Sequence, residues 1–187
     1  MIDDIKAAIA VLQKGGIILY PTDTIWGLGC DASNEDAVQR IYAIKNRVDS
    51  KSMLVLMENP ALIERYIDEV PDVAYDLIEL TDKPLTIIYD GAKNLAKNLI
   101  ADDGSIGIRI TSEAFSSELI RRFKLPIVST SANISGNPSP ACFSEIDQEI
   151  IDSVDYVVKY LQNDAQKAVP SSIIKLGRGG EIKIIRD

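Results

Sequence analysis

The sequence contains no histidine. This absence excludes mechanisms in which an imidazole is the base, nucleophile or metal ligand, including Ser-His-Asp and Cys-His catalysis and HExxH metalloproteases. An enzyme of this composition must work with carboxylates, hydroxyls, amides and cations. Phosphoryl and nucleotidyl transfer fit that restriction, because positioning, cationic side chains and a metal ion carry most of the catalysis there.

Cysteine and long apolar runs are also scarce. Cys30 and Cys142 stand far apart without a CxxC partner, so we predict no disulfide and no protein-held transition metal. We expect both thiols to be buried apolar groups in a reducing compartment. No stretch approaches eighteen apolar residues, and the acidic start at residues 1–4 differs from a secretory leader. These features predict a cytoplasmic protein with no membrane partner.

Basic residues are fewer than acidic ones: the sequence has 20 lysines and arginines against 28 aspartates and glutamates. The formal net charge is −8 at pH 7, whereas proteins that bind nucleic-acid phosphates usually present a basic face. A negative net charge does not exclude one local cationic groove. Duplex binding as the main activity is disfavoured.

The length of 187 residues and the ordinary globular composition predict one domain over residues 1–187. Apolar runs alternate with amphipathic helical stretches, and the glycine-rich turn at 177–180 is expected to join a C-terminal hairpin. This pattern predicts an α/β fold with a twisted, mixed parallel and antiparallel sheet and flanking helices. We expect strands at 17–20, 53–57, 85–89, 105–110, 127–129, 154–158, 171–176 and 181–186. We expect helices at 4–13, from the capping segment 33–36 to about Lys45, after Asn59-Pro60, at 72–80, after a Ser112 cap, and at 144–151.

Four segments place small polar residues, glycines or cations near strand ends, where α/β sheets expose loops to ligands. The first, at 20–29, reads YPTDTIWGLG and supplies two threonines, an aspartate and glycines that allow close backbone approach. A structured turn with Trp26 in the core explains the same pattern.

The second segment, at 45–51, reads KNRVDSK. Lys45, Arg47 and Lys51 could clamp a triphosphate, with the arginine fork binding two oxygens at once. Composition by itself favours a helix C-terminus whose cations complement the helix dipole.

The third segment, at 129–140, reads STSANISGNPSP and could cradle phosphate through hydroxyls and backbone amides. It lacks the Walker spacing, and local hydrogen bonds in a surface turn are the alternative. The fourth is the strand 105–110, where Ser105 and Arg109 share a face with Gly107. That face has room for an anionic ligand, but a solvated sheet face explains it equally well.

In this order, PTDTIWGLG, Lys45-x-Arg47 and the Ser131-x-Asn133 of STSANISG resemble the YrdC-type family of threonylcarbamoyl-AMP synthases. The likeness runs from Gly16 to Arg186. It implies a nucleotidyltransferase that joins L-threonine, bicarbonate and ATP, with Mg²⁺ bound to the ATP, to give threonylcarbamoyl-AMP and pyrophosphate. It also implies a YrdC/RibB-like fold with a concave basic cavity. The product would serve threonylcarbamoyladenosine modification of tRNA by a downstream transferase complex.

The family pattern assigns ligand-binding residues and leaves the catalytic base unassigned. The implied ATP-binding residues are Lys45, Arg47, Lys51, Ser105, Ser131, Asn133, Ser139 and Arg186. The implied threonine-binding residues are Thr24, Arg109, Ser129 and Ser171, and Arg109 suits the carboxylate. Arg178, in the glycine turn, matches no functional position.

Three departures from the family pattern stand out. Lys51-Ser52-Met53 lacks a common proline, Thr81-Asp82-Lys83 replaces Trp-Pro-Gly, and Leu56 stands where some relatives have a histidine near threonine. Longer relatives carry a further C-terminal domain, so any lid is expected within this domain or its termini. Two alternatives are an RNA-binding module for double-stranded RNA or tRNA and a divergent paralogue with another carbamoyl donor.

Overall fold

The computed structural model describes residues 1–46, 53–164 and 170–187. The helices in these ranges are α1 (Ile2–Leu12), α2 (Glu35–Ile44), α3 (Val73–Leu80), α4 (Ala114–Phe123) and α5 (Gln148–Asp152). The strands are β1 (Ile18–Tyr20), β2 (Gly27–Gly29), β3 (Leu54–Met57), β4 (Leu85–Tyr89), β5 (Ile106–Ile110), β6 (Ile127–Ser131), β7 (Tyr156–Val157), β8 (Ser172–Leu176) and β9 (Ile182–Arg186). Short 3₁₀ helices lie at Pro60–Arg65, Lys97–Leu99 and Phe143–Glu145.

The strands form one mixed sheet in the order β7-β1-β2-β6-β3-β5-β4-β8-β9. β3 runs parallel to β5, and this pair is flanked by the antiparallel strands β6 and β4. β8 runs parallel to β4 and pairs with β9 as the expected C-terminal hairpin. The predicted α/β fold with a mixed sheet and flanking helices is confirmed. That residues 1–187 constitute one domain stays a prediction.

The apolar runs of the sequence become the buried strands of the sheet. Every position of β1 is buried, as are most positions of β3 and β5. Helices α1 and α4 pack against each other and bury Ile5, Leu12, Phe115 and Leu119. Cys30 is buried as expected, whereas the expectation for Cys142 is wrong. Its thiol lies partly exposed, 3.2 Å from the Ser144 hydroxyl.

Strand β2 lies inside the polar segment 20–29 and was not predicted. Two of its three residues are glycines, which are depleted in strands and hide the signal. The glycines are needed because β2 is squeezed between β1 and β6. A Cβ at Gly29 would lie 2.5 Å from a Tyr20 ring carbon and 3.0 Å from the Val128 carbonyl oxygen.

Helix starts follow local capping chemistry. Asn34 caps α2, with its side-chain oxygen accepting from the Ala37 amide at 3.0 Å, as the capping segment predicted. The predicted Ser112 cap is wrong. Glu113 caps α4 instead, because its carboxylate accepts from the Phe115 and Ser116 amides and faces the positive helix end. No helix among the described residues is long and apolar enough to cross a membrane.

Asp103, in the turn before β5, connects this turn to β8 through hydrogen bonds. Its carboxylate accepts hydrogen bonds from the Ser105 hydroxyl and amide, and from the Lys175 ammonium at 3.0 Å. The Ser105 bond first, and then the Lys175 bond, lower the pKa of Asp103 to about 2. A carboxyl group with a lowered pKa stabilises the fold while it is ionised, and this contribution is lost as pH falls towards the folded-state pKa.

We predict that Asp103→Asn lowers the free energy of unfolding at pH 6, and that its difference from wild type shrinks as the pH falls from 4 to about 2. Urea unfolding at several pH values measures this difference. The same change at exposed Asp102 is the matched control. A difference that stays constant down to pH 2 contradicts the prediction.

Candidate active site

A cavity of about 260 Å³ opens on one face of the sheet. The register explains its lining, because directly paired residues share a face. Ser129 pairs with Leu54, and Gly27 pairs with Ser131. The lining residues are Thr24, Ile25, Gly27, Met53, Leu54, Arg109, Ser129, Thr130, Ser131, Ser139, Pro170, Ser171, Ile173 and Arg186.

The lining combines polar and cationic groups with apolar side chains. It combines hydroxyl groups with two guanidinium groups, and none of these described lining residues carries a carboxylate. The structure brings together all four residues predicted to bind threonine and three of those predicted to bind ATP. They are Thr24, Arg109, Ser129 and Ser171 from the first set, and Ser131, Ser139 and Arg186 from the second.

The remaining predicted ATP residues divide into three groups. Lys45 and Asn133 lie directly behind the cavity wall. Ser105 is not among the described lining residues, and its hydroxyl donates to Asp103 in the turn before β5. Arg47 and Lys51 lie outside the described residues.

Lys45 reaches from the end of α2 to the loop after β6. Its ammonium donates to the Ser131 and Asn133 carbonyl oxygens at 2.6 and 2.7 Å, and it lies 3.3 Å from the Asn133 side-chain oxygen. Only 3% of the Lys45 surface is exposed. Lys45 therefore joins the cation-rich segment to the STSANISG segment and does more than complement the helix dipole.

Asn133 completes the same loop. Its side-chain nitrogen donates to the Asn137 carbonyl oxygen at 2.7 Å and to the Ile134 carbonyl oxygen at 3.2 Å. Its backbone amide donates to the Ser131 carbonyl oxygen. These bonds hold the backbone after β6 in place. Ser131 at the end of β6 and Ser139 in the following loop line the cavity.

Arg109 supplies a buried charge at the cavity. Its side chain is 3% exposed, and its Nη2 atom lies 3.1 Å from Asp23 Oδ1. Burial raises the pKa of Asp23, an effect that Arg109 opposes. The Arg109 Nε atom is buried without a hydrogen-bond partner among the described residues. The alternative of a solvated sheet face for Arg109 is therefore wrong.

Thr22, Asp23 and Thr86 support the site without having been predicted as site residues. Thr22 and Asp23 were visible only as members of PTDT, and no spacing rule indicates that they would contact a residue on β5. Thr86 lies beside Arg109 in the sheet register, and its hydroxyl contacts that of Ser171 at 2.8 Å. The signal for Thr86 was a single polar residue within the apolar strand LTIIY.

Ser171 links β8 to the end of the chain. The Arg186 guanidinium donates to the Ser171 carbonyl oxygen from Nε at 3.0 Å and from Nη2 at 2.7 Å. Trp26 is buried and packs on the Phe143 ring with centroids 4.9 Å apart. The segment 20–29 thus combines the expected core position of Trp26 with a cavity position for Thr24.

Leu56 lies beside the cavity rather than in its described lining. It is fully buried and faces Arg109 in the register of β3 with β5. The family departure at this position therefore places an apolar side chain next to the charged one.

The fold and the cavity define an α/β protein whose cavity suits an anionic or zwitterionic ligand. A family model described as "Telomere recombination", for Sua5, YciO and YrdC proteins, matches residues 10–187. The chain belongs to this Sua5/YciO/YrdC family.

Curated relatives share most of their length with the chain. It is 34% identical over 157 residues to a threonylcarbamoyl-AMP synthase of Pseudoalteromonas translucida, with 82% of this chain and 84% of the relative covered. It is 37% identical over 176 residues to a putative threonylcarbamoyl-AMP synthase of Methanocaldococcus jannaschii, with 91% of this chain and 81% of the relative covered.

Solved structures share the fold. The Sua5 of P. abyssi in complex with L-threonine matches with a TM-score of 0.83 and 25% identity, covering 92% of this chain and 50% of that one. The chain thus spans about half the length of that Sua5. YciO of E. coli matches in fold with a TM-score of 0.80 and 24% identity, covering 98% of this chain and 88% of that one.

We predict that Lys45→Met lowers the free energy of unfolding by about 1–3 kcal/mol, because buried oxygens of the loop after β6 lose their charged donor. Urea unfolding measures the change. Lys14→Met, at an exposed position, is the control. Unchanged stability with weakened nucleotide binding would instead show that Lys45 serves the nucleotide alone.

Proposed function

We propose that this chain is a threonylcarbamoyl-AMP synthase, which converts L-threonine, bicarbonate and ATP to threonylcarbamoyl-AMP and pyrophosphate. The curated relatives carry this name. The observation that carries the proposal is the cavity, since it gathers the side chains proposed for the amino acid and for the nucleotide from separate parts of the sequence. The RNA-binding alternative has no comparable support in the comparisons.

Threonine is proposed to bind at the Arg109 side of the cavity. The guanidinium would take the carboxylate, since an ionised acceptor gives the strongest hydrogen bonds to arginine. Thr24, Ser129 and Ser171 would surround the remainder of the amino acid. The P. abyssi Sua5 that shares this fold was solved with L-threonine.

ATP is proposed to extend along the loop after β6. Ser131, Ser139 and Arg186 line the cavity and would contact ATP, while Lys45 and Asn133 would act by holding the loop after β6. Arg47, Lys51 and Ser105 stay in the proposed ATP set from the family pattern. The described cavity is slightly smaller than the range usual for drug-sized ligands, so ATP must extend beyond it.

The chemistry needs no imidazole. Bicarbonate loses hydroxide to give carbon dioxide, the free threonine amine adds to the carbon dioxide, and the proton that the amine loses leaves with the hydroxide as water. An oxygen of the resulting carbamate then attacks the α-phosphorus of ATP. The bond to the bridging oxygen breaks and pyrophosphate leaves. The cationic side chains at the cavity would offset the charge that develops on the phosphoryl oxygens. We assign no general base.

A protein-held magnesium site does not fit the residues at the cavity. No group of three His, Cys, Asp or Glu side chains in the described ranges is placed to hold a metal ion. The carboxylate nearest Arg109, that of Asp23, is engaged in an ion pair. Mg²⁺ is therefore proposed to arrive with the triphosphate, which together with water commonly supplies its ligands.

The cellular setting follows from the proposed product. We propose that threonylcarbamoyl-AMP passes to a tRNA-modifying transferase complex in the cytoplasm. Weak direct binding of tRNA by this chain belongs to the same proposal, although the overall charge of −8 disfavours strong binding.

We predict that the protein releases pyrophosphate only when ATP, bicarbonate and L-threonine are all present. A coupled pyrophosphate assay with each component omitted in turn measures this, and mass spectrometry identifies the adenylate. Turnover of ATP that is indifferent to threonine contradicts the proposed function. Activity with carbamoyl phosphate in place of threonine and bicarbonate would support the divergent paralogue.

We predict that Arg186→Gln raises the KM for ATP about tenfold or more, because a charge-assisted contact contributes about 1.5–3 kcal/mol. Arg178→Gln makes the same charge change outside the described cavity lining and is the matched control. Steady-state kinetics with varied ATP measure both. Equal KM values for the two variants remove Arg186 from the proposed nucleotide site.

A further inference from the structure

Thr22 lies behind the cavity wall and contacts three residues that line it, Thr24, Ile25 and Arg109. It is buried and is not itself among the described lining residues. Its hydroxyl oxygen lies 3.0 Å from the Thr24 hydroxyl, 3.1 Å from the Thr24 amide nitrogen and 3.4 Å from Arg109 Nη2. It also lies 2.8 Å from the Ile25 carbonyl oxygen.

These contacts determine which hydroxyl donates. A carbonyl oxygen only accepts, so the single Thr22 hydroxyl proton is directed to Ile25. The Thr22 oxygen then has two lone pairs left, which the amide and the hydroxyl of Thr24 occupy at the shorter distances. Thr24 is therefore the donor in the contact between the two hydroxyls.

The direction of that bond decides whether the Thr24 hydroxyl can donate or accept a hydrogen bond towards the cavity. A threonine hydroxyl has one proton, and Thr24 has donated its proton to Thr22. The Thr24 oxygen can then act towards a ligand only as an acceptor. Arg109, held by Asp23 at 3.1 Å, acts only as a donor. The cavity thus presents an acceptor and a cation as two separate recognition groups.

The two groups match the two ends of a hydroxylated amino acid. The carboxylate suits Arg109, and an O–H or N–H group suits Thr24. In the proposed reaction the amine must be free to form the carbamate. The side-chain hydroxyl is the donor that can stay bound to Thr24 throughout.

We propose that Thr22 is a positioning residue that fixes Thr24 as an acceptor for the substrate's side-chain hydroxyl, and that it thereby sets selectivity for threonine over the isosteric valine. This inference rests on the proposed function for the identity of the amino acid. Sites built to hydrogen-bond a hydroxyl reject an analogue that lacks it, because their buried polar group is left unpaired.

Thr22→Val removes the acceptor for Thr24 while keeping the side-chain shape, and Thr22→Ser restores the hydroxyl. Isothermal titration calorimetry measures the binding of threonine and of valine without turnover. For Thr22→Val we expect the preference for threonine over valine to fall about tenfold, as for one lost hydrogen bond in a buried site. We expect the KM for ATP to stay unchanged and Thr22→Ser to retain the preference.

A double-mutant cycle with Thr24→Val separates positioning from a general structural effect. If Thr22 acts through Thr24, adding Thr22→Val to Thr24→Val causes no further loss of preference. An equal loss in both backgrounds, or an unchanged threonine-to-valine ratio in folded Thr22→Val, overturns the inference. Thr22→Ala replaces Thr22→Val in the cycle if the valine variant does not fold.

The wild-type protein distinguishes this inference from the proposed function. Selective threonine binding without pyrophosphate release would refute the synthase activity, while the binding cycle would still decide the role of Thr22. Wild-type protein that binds threonine and valine equally overturns the inference, whatever its activity.

Discussion

The ion pair between Arg109 and Asp23 is the constraint on which the site depends. A guanidinium that is 3% exposed is strongly destabilising without a partner, and Asp23 supplies that partner from the loop between β1 and β2. The pair joins the centre of the sheet to the PTDT segment. The conformation of that segment, the placement of Thr24 and the charge at the cavity are therefore parts of one arrangement.

The polar groups around the cavity are largely held by protein contacts before any ligand arrives. Lys45 and Asn133 fasten the loop after β6, and Arg186 is bound to the Ser171 carbonyl oxygen. Groups fixed in this way need little reorganisation when charge develops in a transition state. This suits a reaction that relies on positioning and cations, and it is consistent with a sequence that has no histidine.

Much of the fold could be predicted because buried strands and helices show a periodic pattern of apolar residues in the sequence. The apolar run LVLM and the alternating IGIRI gave β3 and β5 nearly to the residue. Glycine-rich β2 has no such periodic pattern. Ser112 was predicted as the cap of α4 because serine is a preferred N-cap residue, whereas Glu113 is the residue that caps the helix. The grouping of Thr24, Ser129 and Arg186 followed from the resemblance. The role of Lys45 in fastening the loop depends on a contact across 86 residues that no local pattern reveals.

The sequence by itself determined most of the strand and helix content and the inventory of hydroxyls and cations available for a site. These depend on composition and on local periodicity, which a linear chain carries. Tertiary structure decided which of those groups share a cavity and which way each one points. It kept Ser105 at a turn, buried Arg109 beside Asp23, and directed the Thr22 proton to Ile25. These positions depend on strand register and on long-range contacts. Whether a hydroxyl donates or accepts likewise depends on the groups that surround it in the folded protein.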